Sequence, residues 1–159
     1  ILNDLFKKGI KKAALGIGQV KLTNKRAEVI EKIKSIGFDY PVIISKDSIV
    51  NKEVKLGKGT QVFDGVVINS GSIIGRHTII NTNATIEHDC EIGDYCHIAT
   101  GAVLSGGVKV GDYSMVGSGA SIVQYKSIAP NCLIGTGGIV TKDIVDSGTY
   151  AGNPVRKIK

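Results

Sequence analysis

The chain has 159 residues and a mass of 16.7 kDa, enough for one full domain with a small appendage. Aromatic residues make up only 5%, so the core is expected to be narrow and aliphatic, and 21% charged residues argue against disorder. The net charge of +6 divides into +5 for residues 1–49, −1 for 50–139 and +2 for 140–159, which argues against a nucleic-acid surface, and no apolar run is long enough for a membrane span.

The first part of the chain, residues 1–49, is predicted to form one β-α-β unit. Strands are expected over 13–18 and 41–44. The spacing of the apolar residues between them predicts a helix over 25–36, which Gly37 ends. Two strands and one helix rarely supply an independent core.

Two features of this unit concern its role. The segment Gly16-Ile17-Gly18 is not a full dinucleotide fingerprint, and it suits either a tight turn or a contact of Gly16 with substrate. The only methionine is Met115, so Ile1 is not an initiator. We therefore expect the unit to be truncated at its N-terminus.

A six-residue repeat begins at Val50 and runs without an insertion to Ile134. Four residues after each aliphatic residue that opens a hexad, a small or β-branched residue follows in fourteen of fifteen cases, with Lys126 as the exception. Neither a helix nor a simple alternating strand has this period. The fifteen opening residues are Val50, Leu56, Val62, Ile68, Ile74, Ile80, Ile86, Ile92, Ile98, Leu104, Val110, Val116, Ile122, Ile128 and Ile134.

Each hexad is expected to supply one flat side and one corner of a triangular prism, with the aliphatic residue pointing inward. Three hexads close a coil of 18 residues, so the repeat makes about five coils whose strands stack in parallel about 4.8 Å apart. Cys96 and Cys132 then lie two coils apart on one corner, and Cys90 lies on another, so no pair can form a disulfide. Unpaired inward cysteines favour a reducing cytoplasm.

The hexads resemble those of the hexapeptide-repeat acyltransferases, whose coils form a left-handed parallel β-helix. Within that superfamily, residues 79–90 (Ile-Ile-Asn-Thr-Asn-Ala-Thr-Ile-Glu-His-Asp-Cys) resemble the sugar O-acyltransferase group. That group includes bacterial nucleotide-amino-sugar N-acetyltransferases and sialic-acid O-acetyltransferases. Residues 150–156 (Tyr-Ala-Gly-Asn-Pro-Val-Arg) are similar to its closing Gly-x-Pro-Ala-Arg segment, with Val155 in place of the usual alanine. The resemblance runs from about residue 13 to the end.

This resemblance implies an all-β dominated fold with a left-handed parallel β-helix over residues 50–140 and a C-terminal capping segment over 141–159. The partial β-α-β unit over 1–49 would be the latter half of a nucleotide-sugar-binding domain. The resemblance also implies a homotrimer with its sites at the subunit interfaces.

No metal is expected from the histidines. Related hexapeptide-repeat carbonic anhydrases bind zinc through three histidines, two of them about five residues apart. Here His77, His88 and His97 are separated by 11, 9 and 20 residues, and none of these spacings fits.

His88 is the candidate general base. It follows the inward Ile86 by two residues and lies near a bend, and imidazole can take the proton that an amine or hydroxyl loses when it attacks a thioester. Glu87 and Asp89 flank it, and a carboxylate can orient the ring. In the family the residue after this histidine is usually Glu and has that role. Because Asp89 is one methylene shorter, both carboxylates stay candidates. The alternative is a structural corner histidine.

Four further residues are candidates for contact with the reactants. His97 precedes the inward Ile98, so it points outward; across a trimer groove it would bind substrate or the thioester end of the cofactor, unless it is a solvated surface residue. By resemblance, the backbone N–H of Gly106 is the candidate oxyanion donor, the alternative being a plain Gly-rich corner. Asn81 and Thr82 are candidates for hydrogen bonds to the acceptor sugar.

The later coils and the closing segment hold the candidates for binding coenzyme A. Backbone exposed along a groove is expected to bind the pantetheine arm at Gly117, Gly135, Thr136 and Gly137. The closing segment is expected to meet the adenine and the phosphates through Asn153, Pro154, Arg156 and Lys157. A frayed basic tail would explain its positive charge equally well.

The predicted function is transfer of an acetyl group from acetyl-CoA to the amino group of a nucleotide-linked amino sugar. The acceptor attacks directly in a ternary complex, because the cysteines point inward and none is available as an acyl carrier. One alternative is O-acetylation of a sugar such as sialic acid, and another is a non-catalytic oligomeric scaffold. The expected partners are the nucleotide sugar, acetyl-CoA and further copies of the chain, with no metal, no nucleic acid and no membrane span.

Overall fold

The computed structural model describes residues 1–18 and 23–159. Two helices, α1 (Leu2–Lys7) and α2 (Lys25–Ser35), precede nineteen short strands. The strands are β1 (Ile43–Ile44), β2 (Ile49–Val50), β3 (Lys55–Leu56), β4 (Gln61–Val62), β5 (Val67–Ile68), β6 (Ile73–Ile74), β7 (Ile79–Ile80), β8 (Thr85–Ile86), β9 (Glu91–Ile92), β10 (His97–Ile98), β11 (Val103–Leu104), β12 (Lys109–Val110), β13 (Met115–Val116), β14 (Ser121–Ile122), β15 (Ser127–Ile128), β16 (Cys132–Ile134), β17 (Ile139–Val140), β18 (Gly148–Gly152) and β19 (Val155–Lys157).

Strands β1–β17 wind into a parallel β-helix with three sides. Every strand pairs with the strand one coil away, so that Ile86 lies between Ile68 and Leu104. The three sheets have the orders β1-β4-β7-β10-β13-β16-β18-β19, β2-β5-β8-β11-β14-β17 and β3-β6-β9-β12-β15. The predicted coil of three hexads is therefore confirmed, and the strands make about six coils rather than about five.

The core is the inside of the prism. The fifteen aliphatic residues that open the hexads are the inward residues of β2–β16, and thirteen of them are buried. Val50 and Leu56, in the first coil, are half-buried and pack against the same core. Each fully buried aliphatic side chain stabilises the fold by about 1.5–3 kcal/mol before chain entropy is counted. All three cysteines are buried in this core as free thiols.

The fourth residue of each hexad adopts a left-handed backbone conformation, which the sequence reasoning did not predict. Along one corner of the prism this residue has φ between 56° and 78° in five successive coils, at Glu53, Gly71, Asp89, Gly107 and Tyr125. Left-handed backbone is unusual for residues other than glycine and asparagine, so it is the stacking of coils that imposes it.

The N-terminal part packs on the β-helix through α2. Ile30 is buried with Leu15 and Tyr40, and Tyr95 of the β-helix packs against this cluster. The predicted helix over 25–36 is confirmed to within one residue. In place of the strand expected over 13–18, Lys12 and Asp39 form a single β-bridge.

The β-helix begins earlier than residue 50. The N–H of Ile43 donates to the carbonyl of Thr60 at 2.9 Å, and β1 pairs with β4. The second strand expected for the β-α-β unit is therefore part of the β-helix, because the edge of the first coil offers it carbonyl acceptors. The nucleotide-sugar-binding role of residues 1–49 stays a prediction.

The C-terminal segment closes the other end. β18 pairs in parallel with β16 and turns back into β19, and the N–H of Gly135 donates to the carbonyl of Tyr150 at 2.7 Å. Tyr150 is buried against the core. This hairpin satisfies part of the open edge of the last coil. Over residues 1–18 and 23–159, no helix has the length and apolar character needed to cross a membrane.

Candidate active site

His88 lies on the corner between β8 and β9, and Asp89 contacts its ring. The Nδ1 atom of His88 is 2.9 Å from Oδ2 of Asp89. Both side chains face outward, with 54% and 70% of their surface exposed. A carboxylate at Nδ1 favours the tautomer that carries its proton there, so the lone pair of Nε2 is available to accept a proton. This corner thus carries a solvent-exposed imidazole that can act as a base.

The coil before His88 sets the position of the Asp89 carboxylate. Asp89 has φ 58°, and its N–H donates to the carbonyl of Ser70 at 3.1 Å. A Cβ at Gly71, which has φ 78°, would collide with Oδ1 of Asp89. Gly71 therefore leaves the space in which the carboxylate lies and also takes the left-handed conformation without strain.

Glu87 is held by a different set of contacts. Its Oε2 accepts a hydrogen bond from Nδ2 of Asn69 at 2.9 Å. Oδ1 of Asn69 in turn accepts one from Nδ2 of Asn51 at 2.7 Å. These three side chains stand one above the other, one coil apart. Of the two carboxylates that the sequence left as candidates, Asp89 is the one within hydrogen-bond distance of the His88 ring.

Gly106 lies one coil beyond His88 and touches its ring. A Cβ at Gly106 would be 2.5 Å from Nε2 of His88 and 2.7 Å from Cε1. The N–H of Gly107 donates to the carbonyl of His88 at 2.9 Å. Within the described part of the chain, the N–H of Gly106 has no acceptor. Gly106 thus lies beside the His88 ring with an N–H that no group in the described part of the chain accepts, so this N–H stays the candidate donor to an oxyanion.

Asn81 and Thr82, on the corner after β7, form a second polar group with His97 of β10. Nδ2 of Asn81 is 3.2 Å from Nε2 of His97, and Oδ1 of Asn81 accepts the N–H of Thr82 at 2.8 Å. His97 lies in β10 between Ile79 and Met115 and is only 6% exposed. It is therefore not a solvated surface histidine. Within one chain this group and His88 follow different strands, as predicted.

The glycines expected along the pantetheine groove donate their N–H groups to neighbouring coils. Gly117 donates to Ile134, Gly135 to Tyr150 and Gly137 to Ser118, at 2.7–2.9 Å. A ligand in this groove would therefore find few free backbone donors. Thr136, between two of these glycines, is exposed.

Two clefts contain further predicted residues. One of about 410 Å³ at the C-terminal end includes Pro154, Arg156 and Lys157, and Asn153 is exposed in the adjoining turn. Lys142 lines it as well, a cation that the sequence reasoning did not single out although it lies three coils beyond His88 on the same corner. Gly16 lines a mainly apolar cleft of about 420 Å³ beside β1 and β4.

The chain matches known proteins in family and in structure. The family described as bacterial transferase hexapeptide (six repeats) matches residues 71–106 and 89–124. A histidine-to-asparagine mutant of perosamine N-acetyltransferase from Caulobacter crescentus, in complex with CoA and GDP-perosamine, is 33% identical with a TM-score of 0.94, and the match covers 99% of this chain and 74% of that one. PerB from the same organism, in complex with the same two ligands, is 34% identical with the same TM-score, over 99% of this chain and 75% of that one. A search of curated proteins gives no match.

Two further solved structures are similar. The acetyltransferase domain of PglB from Neisseria gonorrhoeae FA1090, in complex with acetyl coenzyme A, is 34% identical with a TM-score of 0.83, over 87% of this chain and 68% of that one. WeeI from Acinetobacter baumannii AYE is 28% identical with a TM-score of 0.81, over 84% of this chain and 65% of that one.

The extent and identity of these matches confirm the resemblance stated from the hexads and from residues 79–90. The predicted fold class, a left-handed parallel β-helix, is confirmed with them. The chain belongs to the hexapeptide-repeat sugar acetyltransferases.

Proposed function

We propose that this protein transfers the acetyl group of acetyl-CoA to the amino group of a nucleotide-linked amino sugar. The observation that carries the proposal is the pair of His88 and Asp89, with Gly106 against Nε2 of the histidine. The relative crystallised with CoA and GDP-perosamine supports an amine on a nucleotide sugar as the acceptor.

In the proposed reaction, the nitrogen of the acceptor amine attacks the thioester carbonyl, and Nε2 of His88 takes a proton from this amine. The N–H of Gly106 donates to the oxyanion of the tetrahedral intermediate. When the intermediate collapses, the carbon–sulfur bond breaks, and the imidazolium returns its proton to the leaving thiolate. Asp89 accepts a hydrogen bond from Nδ1 and stabilises the imidazolium from the time it gains the proton until it returns it.

Direct attack is favoured because the cysteine thiols are poor acyl carriers. Burial raises the pKa of Cys90, and it raises the pKa of Cys96 to about 12. Burial also raises the pKa of Cys132. A thiol that stays protonated at neutral pH is a weak nucleophile, and all three lie inside the prism.

We place the phosphates of acetyl-CoA in the C-terminal cleft, where Lys142, Arg156 and Lys157 outnumber the one lining carboxylate, Asp143. Asn153 and Pro154 would meet the adenine. The pantetheine arm would pass Thr136 and its neighbouring glycines Gly117, Gly135 and Gly137. For the acceptor we propose contacts with Asn81, Thr82 and Gly16.

We also propose a homotrimer in the cytoplasm. In one chain Asn81, which contacts His97, lies on a different corner from His88, so a shared site needs a neighbouring subunit. The outer side of β2 and β11 supports such contacts, since Ile49 and Val103 expose 59% and 38% of their surface. Sedimentation equilibrium tests this directly: a monomer at micromolar concentration would contradict it.

The test of the activity is release of thiol from acetyl-CoA with a panel of GDP- and UDP-linked amino sugars, using the full-length protein. Turnover with an amino sugar, and an N-acetyl signal in the NMR spectrum of the product, is the expected result. Turnover only with the matching hydroxyl sugars or with sialic acid would instead indicate O-acetylation. No turnover with any acceptor would favour the scaffold.

A further inference from the structure

A buried hydroxyl forms hydrogen bonds with both ends of the turn that carries His88 and Asp89. Oγ of Ser72 donates to the carbonyl of Glu87 at 2.8 Å and accepts the N–H of Cys90 at 3.1 Å. Ser72 comes from the preceding coil and is completely buried. One side chain thus ties residues 87 and 90, which bracket the His88–Asp89 pair, to the coil beneath.

The connection continues through Cys90 to the next coil. Sγ of Cys90 is 3.3 Å from the carbonyl of Ser105, the residue before Gly106, and donates to it. Because burial raises the pKa of Cys90, its thiol keeps the proton that this hydrogen bond needs. Ser72 and Cys90 therefore link three successive coils from inside the prism.

Most of the core of the prism is aliphatic and offers few polar groups. Ile68, Ile86 and Leu104, for example, stack on one another in successive coils. Loss of the Ser72 hydroxyl would remove the partner of the half-buried carbonyl of Glu87 and of the buried N–H of Cys90, and the turn would shift to reach new ones. A shift of either turn changes the contact between Nε2 of His88 and Gly106, and proton transfer depends strongly on such distances.

We propose that Ser72 and Cys90 are positioning residues for acetyl transfer, which fix the turn of His88 and Asp89 against the turn of Gly106. This inference rests on the proposed role of His88 as the base. Neither residue contacts the reactants, since both lie inside the prism.

The same device at other corners supplies matched controls. Oγ of Ser114 donates to the carbonyl of Ala129 at 3.1 Å and accepts the N–H of Cys132 at 3.0 Å. Sγ of Cys96 donates to the carbonyl of Gly111 at 3.2 Å. These turns carry no candidate site residue. Ser114→Ala and Cys96→Ala therefore remove the same kind of bond away from the turn of His88, and both keep the backbone carbonyl of Ser114 that accepts the N–H of His97.

The experiment compares kcat and KM of Ser72→Ala with those of Ser114→Ala. We expect Ser72→Ala to lower kcat by about tenfold or more, with the KM for acetyl-CoA changed by less than about twofold, and Ser114→Ala to keep kcat within about twofold. Ser72→Thr should restore kcat, because Thr78 makes both bonds at the equivalent place in the next hexad, to Gly93 and Cys96.

Cys90 is tested in the same way. Cys90→Ala should lower kcat more than Cys96→Ala does, and Cys90→Ser, which keeps a donor, should recover it. Equal kcat losses in each pair, with thermal unfolding affected alike, would overturn the inference and leave the proposed function standing.

A second readout does not depend on turnover. The chain has three histidines, so the Cε1–H NMR signal of His88 can be assigned by its absence in His88→Ala. Ser72→Ala should move the chemical shift of this signal, and Ser114→Ala should not. An unmoved signal contradicts the inference even if no acceptor is turned over, whereas an inactive wild type with a moved signal contradicts only the proposed function.

Discussion

Two histidines lie on corners of the same β-helix in opposite surroundings. His77 is only 6% exposed and lies between two tyrosine rings: Tyr40 meets it edge-on with centroids 4.9 Å apart, and Tyr95 stacks on it at 5.2 Å. The stack continues to Tyr113 at 5.0 Å. His88 stands in the open with only Asp89 at its Nδ1. The corner geometry is shared, so the neighbours decide what each ring does.

The helix α2 covers the corner of His77 and leaves that of His88 exposed. Nη1 of Arg26 donates to the carbonyl of His77 at 2.5 Å, and the hydroxyl of Tyr95 donates to Glu31 at 3.0 Å. Burial, with a smaller effect from the charge of Arg26, lowers the pKa of His77. His77 is thus a neutral ring that joins the N-terminal part to the β-helix, and the uncovered corner is the one suited to proton transfer.

The largest expected effect is on the exposed corner. His88→Ala should lower kcat at least about a hundredfold, because the general base is lost, while the melting temperature stays near that of the wild type. His77→Asn is the matched variant: Asn131 shows that asparagine fits this corner at φ 56°. It should keep kcat and lower the free energy of unfolding by about 1–3 kcal/mol. Similar kcat losses in both variants would remove the distinction between the corners.

The second-largest effect should be a difference in kcat between substitutions of the two carboxylates beside His88. Asp89→Asn should lower kcat by tens of fold, because an amide stabilises the imidazolium poorly. Glu87→Gln should stay within about threefold, because Asn69 can still bond the amide oxygen. Steady-state kinetics against pH measures both. A larger loss in Glu87→Gln would transfer the orienting role to Glu87.

The rings of His77 and His88 each lie beside a glycine of an adjacent coil, which gives a further paired test. Gly106→Ala should lower kcat by about tenfold, because its methyl group displaces the His88 ring. Gly59→Ala, whose Cβ would collide with Nδ1 of His77 at φ 72°, should instead lower stability by about 1–3 kcal/mol. Kinetics and urea unfolding of both variants separate the two outcomes.

The smallest expected effect concerns pH. The pKa of His77 is lower in the folded chain than its ordinary value of 6.5. Well above pH 6.5 the ring is neutral in both states. As the pH falls toward and below 6.5, the unfolded chain takes up the proton before the folded chain does, so the free energy of unfolding decreases. His77→Asn should flatten this part of the curve in urea unfolding between pH 5 and 8. An unchanged slope would show that other groups cause it.

The sequence predicted the β-helix well because one structural rule repeats in every hexad. Each aliphatic residue that opens a hexad occupies the same inward place, so the argument for Ile86 holds equally for Ile68 and Leu104. The left-handed corners were not predicted, because residues such as Tyr95 and Tyr113 have no preference for them and take that conformation from the coils around them.

The placement of the site candidates was predicted in part, and their roles stay predictions. His88 and Asp89 lie within hydrogen-bond distance and Gly106 lies beside the ring, but the sequence left Glu87 and Asp89 as equal candidates because both flank the histidine. A signal was present that could have separated them: Asn51, Asn69 and Glu87 are spaced by one coil each. The same spacing joins Ser72 to Cys90. The helix α1 had no comparable repeat to indicate it.

The stacking of coils also fixes the distance between residues that share a corner of the β-helix. His88 and Lys142 occupy the same corner three coils apart, which corresponds to about 14 Å at the rise of parallel strands. Inserting or deleting one whole coil would change this separation in a step of about 4.8 Å and leave both ends intact. Inserting or deleting one residue would instead turn every later side chain away from its side of the prism. The reach between the base and the basic cleft can therefore vary only in whole coils.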